Sequence, residues 1–155
     1  MHPNAALLEK LYTDLAQHDH EAMAACYHED ATFNDIAFDL SGKKEIHAMW
    51  HMISESDLKI TFDIIRADEH TGRVNWVADY TLTATGRNVH NVIESRFHFH
   101  EGLIIEQRDL SDAKAWAAMA VGGPAGFVGG RVRFLRSQRA ITILRDFVKE
   151  HPEYK

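Results

Sequence analysis

Two aspartates lie where an alternating pattern would turn a carboxylate inwards. In the segment 31–35, alternation puts Phe33 and Asp35 on one face, and Asp109 lies near the end of another strand-like segment, 103–110. A carboxylate that faces an apolar cavity loses hydration, so its pKa rises and it can take a proton from an activated carbon or a water. We therefore predict Asp35 and Asp109 as acid–base catalysts. The alternative is that each caps a turn or a helix.

The same alternation directs further polar side chains towards the interior. Tyr80, Ser95 and Gln107 share the inward face of their segments and could donate hydrogen bonds to a developing oxyanion. They could equally satisfy one another within the core. On either interpretation they line a predicted pocket, together with the aromatic side chain of Phe97.

The eleven histidines raise the question of a metal site. His47 and His51 are four residues apart on a predicted helix, and His98 and His100 share one face of a predicted strand. The helical pair lacks the glutamate of the metalloprotease motif, and the two pairs are expected on different surfaces, so we predict no metal site. The glycines between 122 and 130 match neither a phosphate-binding loop nor a dinucleotide fingerprint, and no cofactor is predicted.

Helices at the start of the chain would position part of this chemistry. Helical periodicity after Asn4 predicts a first helix, and Asp19 is the expected N-cap of a second helix over about 20–27. A third helix follows Ser41 and Gly42. On its apolar stripe, Trp50 is the bulky residue best able to reach a cavity.

From Leu58 onwards the apolar residues alternate, which predicts an antiparallel meander. Its strands are expected over about 59–68, 73–84, 89–100 and 103–110, with short turns between them. One face is apolar and would line a core or pocket. The other face, through which we expect a homodimer, carries Asp79, Thr81, His90, Glu94, Arg96, His98 and His100.

Helical periodicity returns over 113–121 and from about 131 to 149. We predict an α+β domain over 1–121, and over 122–155 a glycine-rich bend and a basic helix that packs on it. Residues 131–155 carry seven Lys and Arg against three Asp and Glu, a net charge of +4, whereas residues 1–130 carry −10. We therefore expect this helix to cover the acidic body, and contact with a membrane surface is the less favoured alternative.

Composition is typical of a soluble single-domain protein. The 155 residues, 45% of them apolar, are enough for one core, and no secretory leader or membrane-spanning stretch is recognised. Cys26 is the only cysteine, which excludes an internal disulfide and fits a reducing compartment, so we predict a cytoplasmic protein. The acidic body argues against nucleic acid as a partner.

A set of short motifs gives a more specific indication. They are Asp30-Ala31-Thr32-Phe33-Asn34-Asp35 followed by Ser41-Gly42, then Thr85-Gly86-Arg87, Phe97-His98-Phe99, Glu101-Gly102-Leu103-Ile104 and Arg108-Asp109. Over about residues 5–112 the chain resembles the SnoaL-like and ketosteroid isomerase-like branch of the nuclear transport factor 2-like superfamily. This resemblance implies a cone-shaped α+β fold, in which a curved antiparallel sheet wrapped by the N-terminal helices encloses a pocket.

The resemblance also implies roles for individual residues. Asp35 matches the general base of the isomerases, and Asp109 matches the catalytic aspartate on the last strand of limonene epoxide hydrolase and of SnoaL-like cyclases. Trp50 and Tyr27 match aromatic residues that line the pocket.

Neither family site is complete in this sequence. Leu11 and Ser95 stand where the isomerases have the tyrosine and the protonated carboxyl of their oxyanion hole. Val77 precedes Asp79 where the epoxide hydrolase pattern has an arginine before its second aspartate. Part of the machinery of each family enzyme is therefore missing.

These observations predict a pocket for a small hydrophobic molecule. The leading interpretation is a cofactor-free isomerase, cyclase or hydrolase that uses Asp109 and Asp35 as acid–base groups. The alternative is a non-catalytic domain that binds a small hydrophobic ligand in the same pocket. A third class is an interaction protein that works through the polar sheet face.

Overall fold

The computed structural model describes residues 1–83, 85–120 and 129–155, and gives side chains for all of these except 129–139. The described helices are α1 (Pro3–Ala16), α2 (His20–Ala24), α3 (Lys43–Ser54), α4 (Ala113–Ala120) and α5 (Gly129–Glu150), followed by a 3-10 helix (Pro152–Tyr154). The strands are β1 (Tyr27–Asn34), β2 (Asp39–Ser41), β3 (Lys59–Ala67), β4 (Thr71–Leu82), β5 (Arg87–His100) and β6 (Leu103–Ser111).

The six strands form one curved, unclosed sheet in the order β2-β1-β6-β5-β4-β3. Strands β3 to β6 pair as the predicted antiparallel meander, and β1 lies parallel to β6. The predicted α+β class is confirmed. The parallel β1–β6 pair matters for the site, because it brings the end of β1 beside the middle of β6.

The predicted faces of the meander are confirmed by the burial of alternate residues. On β5, every second side chain from Val89 to Phe99 is buried, whereas Val92, His98 and their outward neighbours are more exposed. An ion-pair network lies on the outer face, where Glu94 binds Arg73 at 2.7 Å and Arg96 at 2.6 Å. The role of this face in a homodimer stays a prediction.

Two details of the helices differ from expectation. The N-cap of α1 is His2, whose side chain accepts from the Asn4 N–H, while the Asn4 amide is buried and donates to the carbonyls of Asp68 and Glu69. Helix α2 is capped by Asp19 as predicted, but it ends at Ala24, so that Tyr27 begins β1. Helical spacing alone could not separate these possibilities, because Tyr27 is buried in either conformation.

Helix α1 crosses close to the sheet at Gly72. A Cβ atom at this position would lie 2.9 Å from Leu8 Cδ1 and 3.0 Å from the Phe99 ring. The missing side chain therefore lets α1 approach β4 and β5 closely enough for its own side chains to reach the sheet. This approach allows Tyr12 to take part in the site described below.

The C-terminal helix packs on α3. Leu144 and Phe147 are buried, and Leu144 joins the main hydrophobic core. The predicted helix over about 131–149 is confirmed by α5, whereas the predicted glycine-rich bend lies mostly outside the described residues, and the division at residue 121 stays a prediction. In the described part of the chain, no helix combines the length and hydrophobicity needed to cross a bilayer.

Candidate active site

Asp109 lies on β6 with its side chain directed into the core. It is paired in register with Ser95 on β5, and alternation on β6 puts Gln107 on the same inward face. Ser95 and Gln107 are completely buried, whereas Asp109 keeps 6% of its exposure. Ser95 and Gln107, which sequence periodicity directed inwards, are therefore brought together with Asp109, which the resemblance singled out.

The Asp109 carboxylate accepts two hydrogen bonds from described side chains, and both go to the same oxygen. Oδ1 accepts from Ser95 Oγ at 2.5 Å and from Gln107 Nε2 at 3.0 Å. Among the described residues, none donates to Oδ2. The carboxylate is thus held through one oxygen, and the second remains available for proton transfer.

Ser95 links Asp109 to two aromatic donors. Its Oγ accepts from the Tyr12 hydroxyl at 2.8 Å and from Trp76 Nε1 at 2.8 Å. Because these two donors occupy the lone pairs of Oγ, the serine proton is directed to Asp109. Tyr12, Ser95 and Trp76 are buried, with exposures of 5% or less.

A second chain of hydrogen bonds fixes Gln107. Trp50 Nε1 donates to the Tyr27 hydroxyl at 3.0 Å, and Tyr27 donates to Gln107 Oε1 at 2.5 Å. An amide whose oxygen accepts from Tyr27 must present its NH₂ group to Asp109. One series of hydrogen bonds therefore begins at the indole N–H of Trp76 and the other at that of Trp50, and both end on Asp109 Oδ1.

The electrostatic setting of Asp109 suits proton exchange near neutral pH. Burial raises the pKa of its carboxyl from 3.8 to about 7, the hydrogen bonds from Ser95 and Gln107 oppose this shift, and the nearby charge of Asp35 adds to it. Burial also raises the pKa of Tyr12 and of Tyr27 well above the usual range. Both phenols therefore remain protonated donors while Asp109 is partly ionised.

Asp35 lies at the end of β1, beside Asp109. The parallel register pairs Asn34 with Arg108, so the residues that follow them, Asp35 and Asp109, are neighbours. Asp35 Oδ1 accepts from the N–H groups of Ala37 at 2.7 Å and Phe38 at 2.6 Å, so Asp35 caps a turn. Its predicted catalytic role stays a prediction, and the geometry gives it a structural role as well.

For Asp109 the capping alternative is wrong. The carboxylate that caps α4 is that of Asp112, whose Oδ1 accepts from the N–H groups of Lys114 and Ala115. Asp109 lies three residues earlier, inside the strand. Its buried position is explained by the strand alternation and by its polar partners.

Not all of the predicted pocket residues meet at this network. Trp50, Tyr27, Ser95 and Gln107 belong to it, as described above. Tyr80 instead accepts from Trp116 Nε1 of α4 at 2.7 Å, towards the other end of β4. Phe97 is buried in the core, with its ring edge-on to Tyr12 at 6.4 Å between centroids.

Two members of the network are not predicted by the sequence pattern. Tyr12 and Trp76 are not among the predicted site residues. Leu11 stands at the position of the family tyrosine, although Tyr12 is the residue of α1 that reaches Ser95. Leu11 is buried without a polar role. The available signal was chemical, since a tyrosine or tryptophan on a buried stripe requires a hydrogen-bond partner.

Two surface pockets that the structure describes lie away from Asp109. One, of about 410 Å³, is lined by residues of α2, α3 and the C-terminus, including His20, His47, His51 and Tyr154. The other, of about 370 Å³, lies at the N-terminus beside Asn4, Phe99 and His100. The predicted apolar pocket in front of Asp109 therefore stays a prediction.

Comparison with known proteins agrees with this arrangement of sheet and helices. Three similar solved structures are a candidate polyketide cyclase from Silicibacter sp. TM1040, an LEH-like epoxide hydrolase from M. tuberculosis, and a protein of ketosteroid isomerase-like fold from Catenulispora acidiphila in complex with trimethylamine. Their TM-scores are 0.69, 0.63 and 0.65, at sequence identities of 17%, 16% and 14%. At such identities the likeness concerns the fold.

The shared region includes nearly all of each solved structure. The alignments cover 76%, 81% and 77% of this chain, and 94%, 95% and 94% of the respective structures. Among curated proteins, none matches the chain. The family model of the SnoaL-like domain matches residues 8–107, a range that holds every member of the network except Asp109. The chain therefore belongs to the SnoaL-like family of the nuclear transport factor 2-like superfamily.

Proposed function

We propose that this protein is a cofactor-free enzyme that moves a proton on a small hydrophobic substrate, with Asp109 as the acid–base group. The observation that carries the proposal is the state of this carboxyl. Its pKa is about 7, its Oδ1 is anchored by two donors, and its Oδ2 accepts from none of the described residues. A catalytic group is most effective when its pKa lies near the working pH.

The reaction class favoured by this geometry is abstraction of a proton from a carbon next to a carbonyl group. This step begins both an isomerisation and a cyclisation, and a single tuned carboxylate can perform it. A hydrolase would instead activate water. The epoxide hydrolase pattern receives less support, since Val77, at the position of its arginine, lies between the buried Trp76 and Ala78 and so on the opposite face of β4.

The surroundings of Asp109 favour an apolar substrate. The inward face of the sheet carries Phe33, Trp76 and Ile93, and α3 contributes Trp50. Asp109 is also more exposed than Tyr12, Ser95 and Gln107, which keep 1% or less of their surface. We propose that a substrate approaches the network at this carboxyl group.

Hydrogen–deuterium exchange at carbon tests the reaction class without requiring a complete turnover. The protein is incubated in D₂O with a panel of apolar β,γ-enones, cyclic ketones and polyketide-like esters, and a parallel panel of apolar epoxides is incubated in H₂¹⁸O. Mass spectrometry should detect deuterium at the carbon next to the carbonyl group at a rate above that of the buffer. Incorporation of ¹⁸O into a diol, without any carbon exchange, would contradict proton abstraction from carbon and indicate a hydrolase.

A non-catalytic ligand-binding domain is the second candidate, and one observation favours it. Tyr12 and Trp76 both donate to Ser95, which donates to Asp109. In the second series of hydrogen bonds, Trp50 donates to Tyr27, which donates to Gln107. These donors are therefore already used, and none of them is directed at a substrate oxygen. Saturable binding of an apolar ketone, with neither deuterium exchange on the first panel nor ¹⁸O incorporation on the second, would support this second function and contradict the proposal of an enzyme.

A further inference from the structure

A cluster of histidines lies where the C-terminal segment packs on α3, away from Asp109. It consists of His20, His47, His51 and His151, and we refer to it as the histidine cluster. His20 stacks on His51 at 3.7 Å between ring centroids, and His151 packs edge-on to His51 at 5.0 Å. The cluster joins three parts of the chain, namely α2, α3 and the residue that follows α5.

Three groups at one edge of this cluster have the arrangement of metal ligands. His51, Glu55 and His151 each offer one ligand atom, and the three atoms lie within 4.8 Å of one another. Of these atoms, His51 Nε2 and Glu55 Oε1 lie 3.5 Å apart. Ligands bound tetrahedrally to Zn²⁺ at about 2.0–2.1 Å lie about 3.3 Å from each other, so this pair already has nearly the required spacing.

A neighbouring carbonyl sets the tautomer of His151 that coordination requires, and a neighbouring hydroxyl permits the corresponding tautomer of His51. His151 Nδ1 lies 2.8 Å from the carbonyl oxygen of Phe147, which can only accept, so the proton is on Nδ1 and the lone pair is on Nε2. His51 Nδ1 lies 2.8 Å from the Tyr154 hydroxyl. When this ring donates to the Tyr154 oxygen, its Nε2 lone pair faces Glu55. Partners of this kind orient the histidines of known metal sites.

His47 has a partner of its own, because its Nε2 lies 2.9 Å from His20 Nδ1. The candidate ligand set departs from the sequence prediction of no metal site: it pairs His51 not with His47 but with a glutamate and with a histidine 100 residues further along.

We propose that His51, Glu55 and His151 form a binding site for a divalent transition-metal ion, Zn²⁺ in the first instance. Two imidazoles and one carboxylate are the protein ligands of many zinc and non-haem iron sites, which leave further positions for water. The ion would join the end of α3 to the residue that follows α5. Its expected effect is to hold the C-terminal helix on the body of the protein.

Calorimetric titration of the full chain with ZnCl₂, purified without a polyhistidine tag, tests the site. The wild-type protein should bind one Zn²⁺, and Glu55→Gln and His151→Ala should each weaken binding at least about tenfold. Glu55→Gln is the sharper variant, because this side chain is 57% exposed and its amide preserves size, so folding should be unaffected. Circular dichroism of each variant checks the fold.

A second cluster provides the matched control. His28, His100 and Glu101 also lie within 4.8 Å of one another, but His100 and Glu101 are exposed. His100→Ala should therefore leave the high-affinity site unchanged. If Zn²⁺ does not bind, or if His100→Ala abolishes binding while Glu55→Gln and His151→Ala retain it, the proposal is wrong.

A stability measurement gives an independent readout. Zn²⁺ at about 100 times its Kd should lower the unfolding equilibrium constant of the wild type about 100-fold, and the same concentration should lower that of Glu55→Gln much less. An equal stabilisation of both proteins would contradict the assigned ligands.

Discussion

Replacement of Asp109 by Asn is expected to lower kcat/KM for the exchange reaction by about 10²–10⁴-fold, the usual contribution of a general acid–base group. Asparagine keeps the size of the side chain and an Oδ1 that can accept from Ser95 and Gln107, but it cannot take up a proton. The rate of the wild type should rise with pH through about 7, because the ionised carboxyl is the base. Steady-state kinetics on the best substrate of the panel would measure both effects.

Asp112→Asn is the matched control for this variant. Asp112 undergoes the same change three residues further on, and as an N-cap of α4 it is replaced well by asparagine. Its kcat/KM should stay within about threefold of the wild type. Equal losses in the two variants, or full activity in Asp109→Asn, would remove Asp109 from the mechanism.

The second large effect concerns the pH dependence of stability. The pKa of Asp109 is 3.8 in its ordinary state and about 7 in the fold, so between these values the folded state binds a proton that the unfolded state has released. The resulting stabilisation is fully present below about pH 4 and is lost as pH rises through about 7. This difference in pKa corresponds to a free energy of unfolding that is about 4 kcal/mol lower at pH 8 and above than at pH 4 and below.

The histidines act in the opposite direction and must be separated from Asp109. Burial lowers the pKa of His47 and His51, so their contribution is present above the ordinary histidine pKa and is lost as pH falls. The difference in unfolding free energy between wild type and Asp109→Asn isolates the carboxyl, because the histidines are common to both. Urea unfolding is measured at intervals from pH 4 to 9. As pH rises, the free energy of unfolding of the variant should increase relative to that of the wild type. A difference that does not change with pH would contradict a raised pKa.

The sequence predicted most of the β5 and β6 part of the site. Ser95 and Gln107 were directed inwards by alternation, Asp109 was singled out by the family resemblance, and the structure places all three together. Alternation succeeds here because a residue's face in a strand depends only on its parity, and the meander has a buried and an exposed face. The α+β class followed from the same pattern together with the flanking helices.

The contribution of α1 could not be predicted with the same precision. Leu11 and Tyr12 are both completely or almost completely buried, so helical spacing does not say which of them points at Ser95. That depends on how α1 crosses the sheet, and the crossing depends on the absence of a side chain at Gly72. Such an approach is a property of the packed tertiary structure rather than of local periodicity.

The histidine cluster also depends on tertiary packing, which here joins residues that are far apart in the sequence. His51 and Glu55 are four residues apart, and their proximity on a helix could be anticipated. His151 is brought to them only because Leu144 and Phe147 pack the C-terminal helix on the body of the protein. Charge patterning indicated that this helix covers the acidic body, but it did not indicate which of its residues meet α3.

The central claim is that Asp109 carries a carboxyl group poised to exchange a proton near neutral pH. The most direct test is a ¹³C NMR titration of the aspartate carboxyl carbons, with Asp109 assigned as the signal that Asp109→Asn removes. We predict that this signal titrates with a midpoint of about 7. A midpoint near 4, the value of an ordinary aspartate, would contradict the proposed acid–base role.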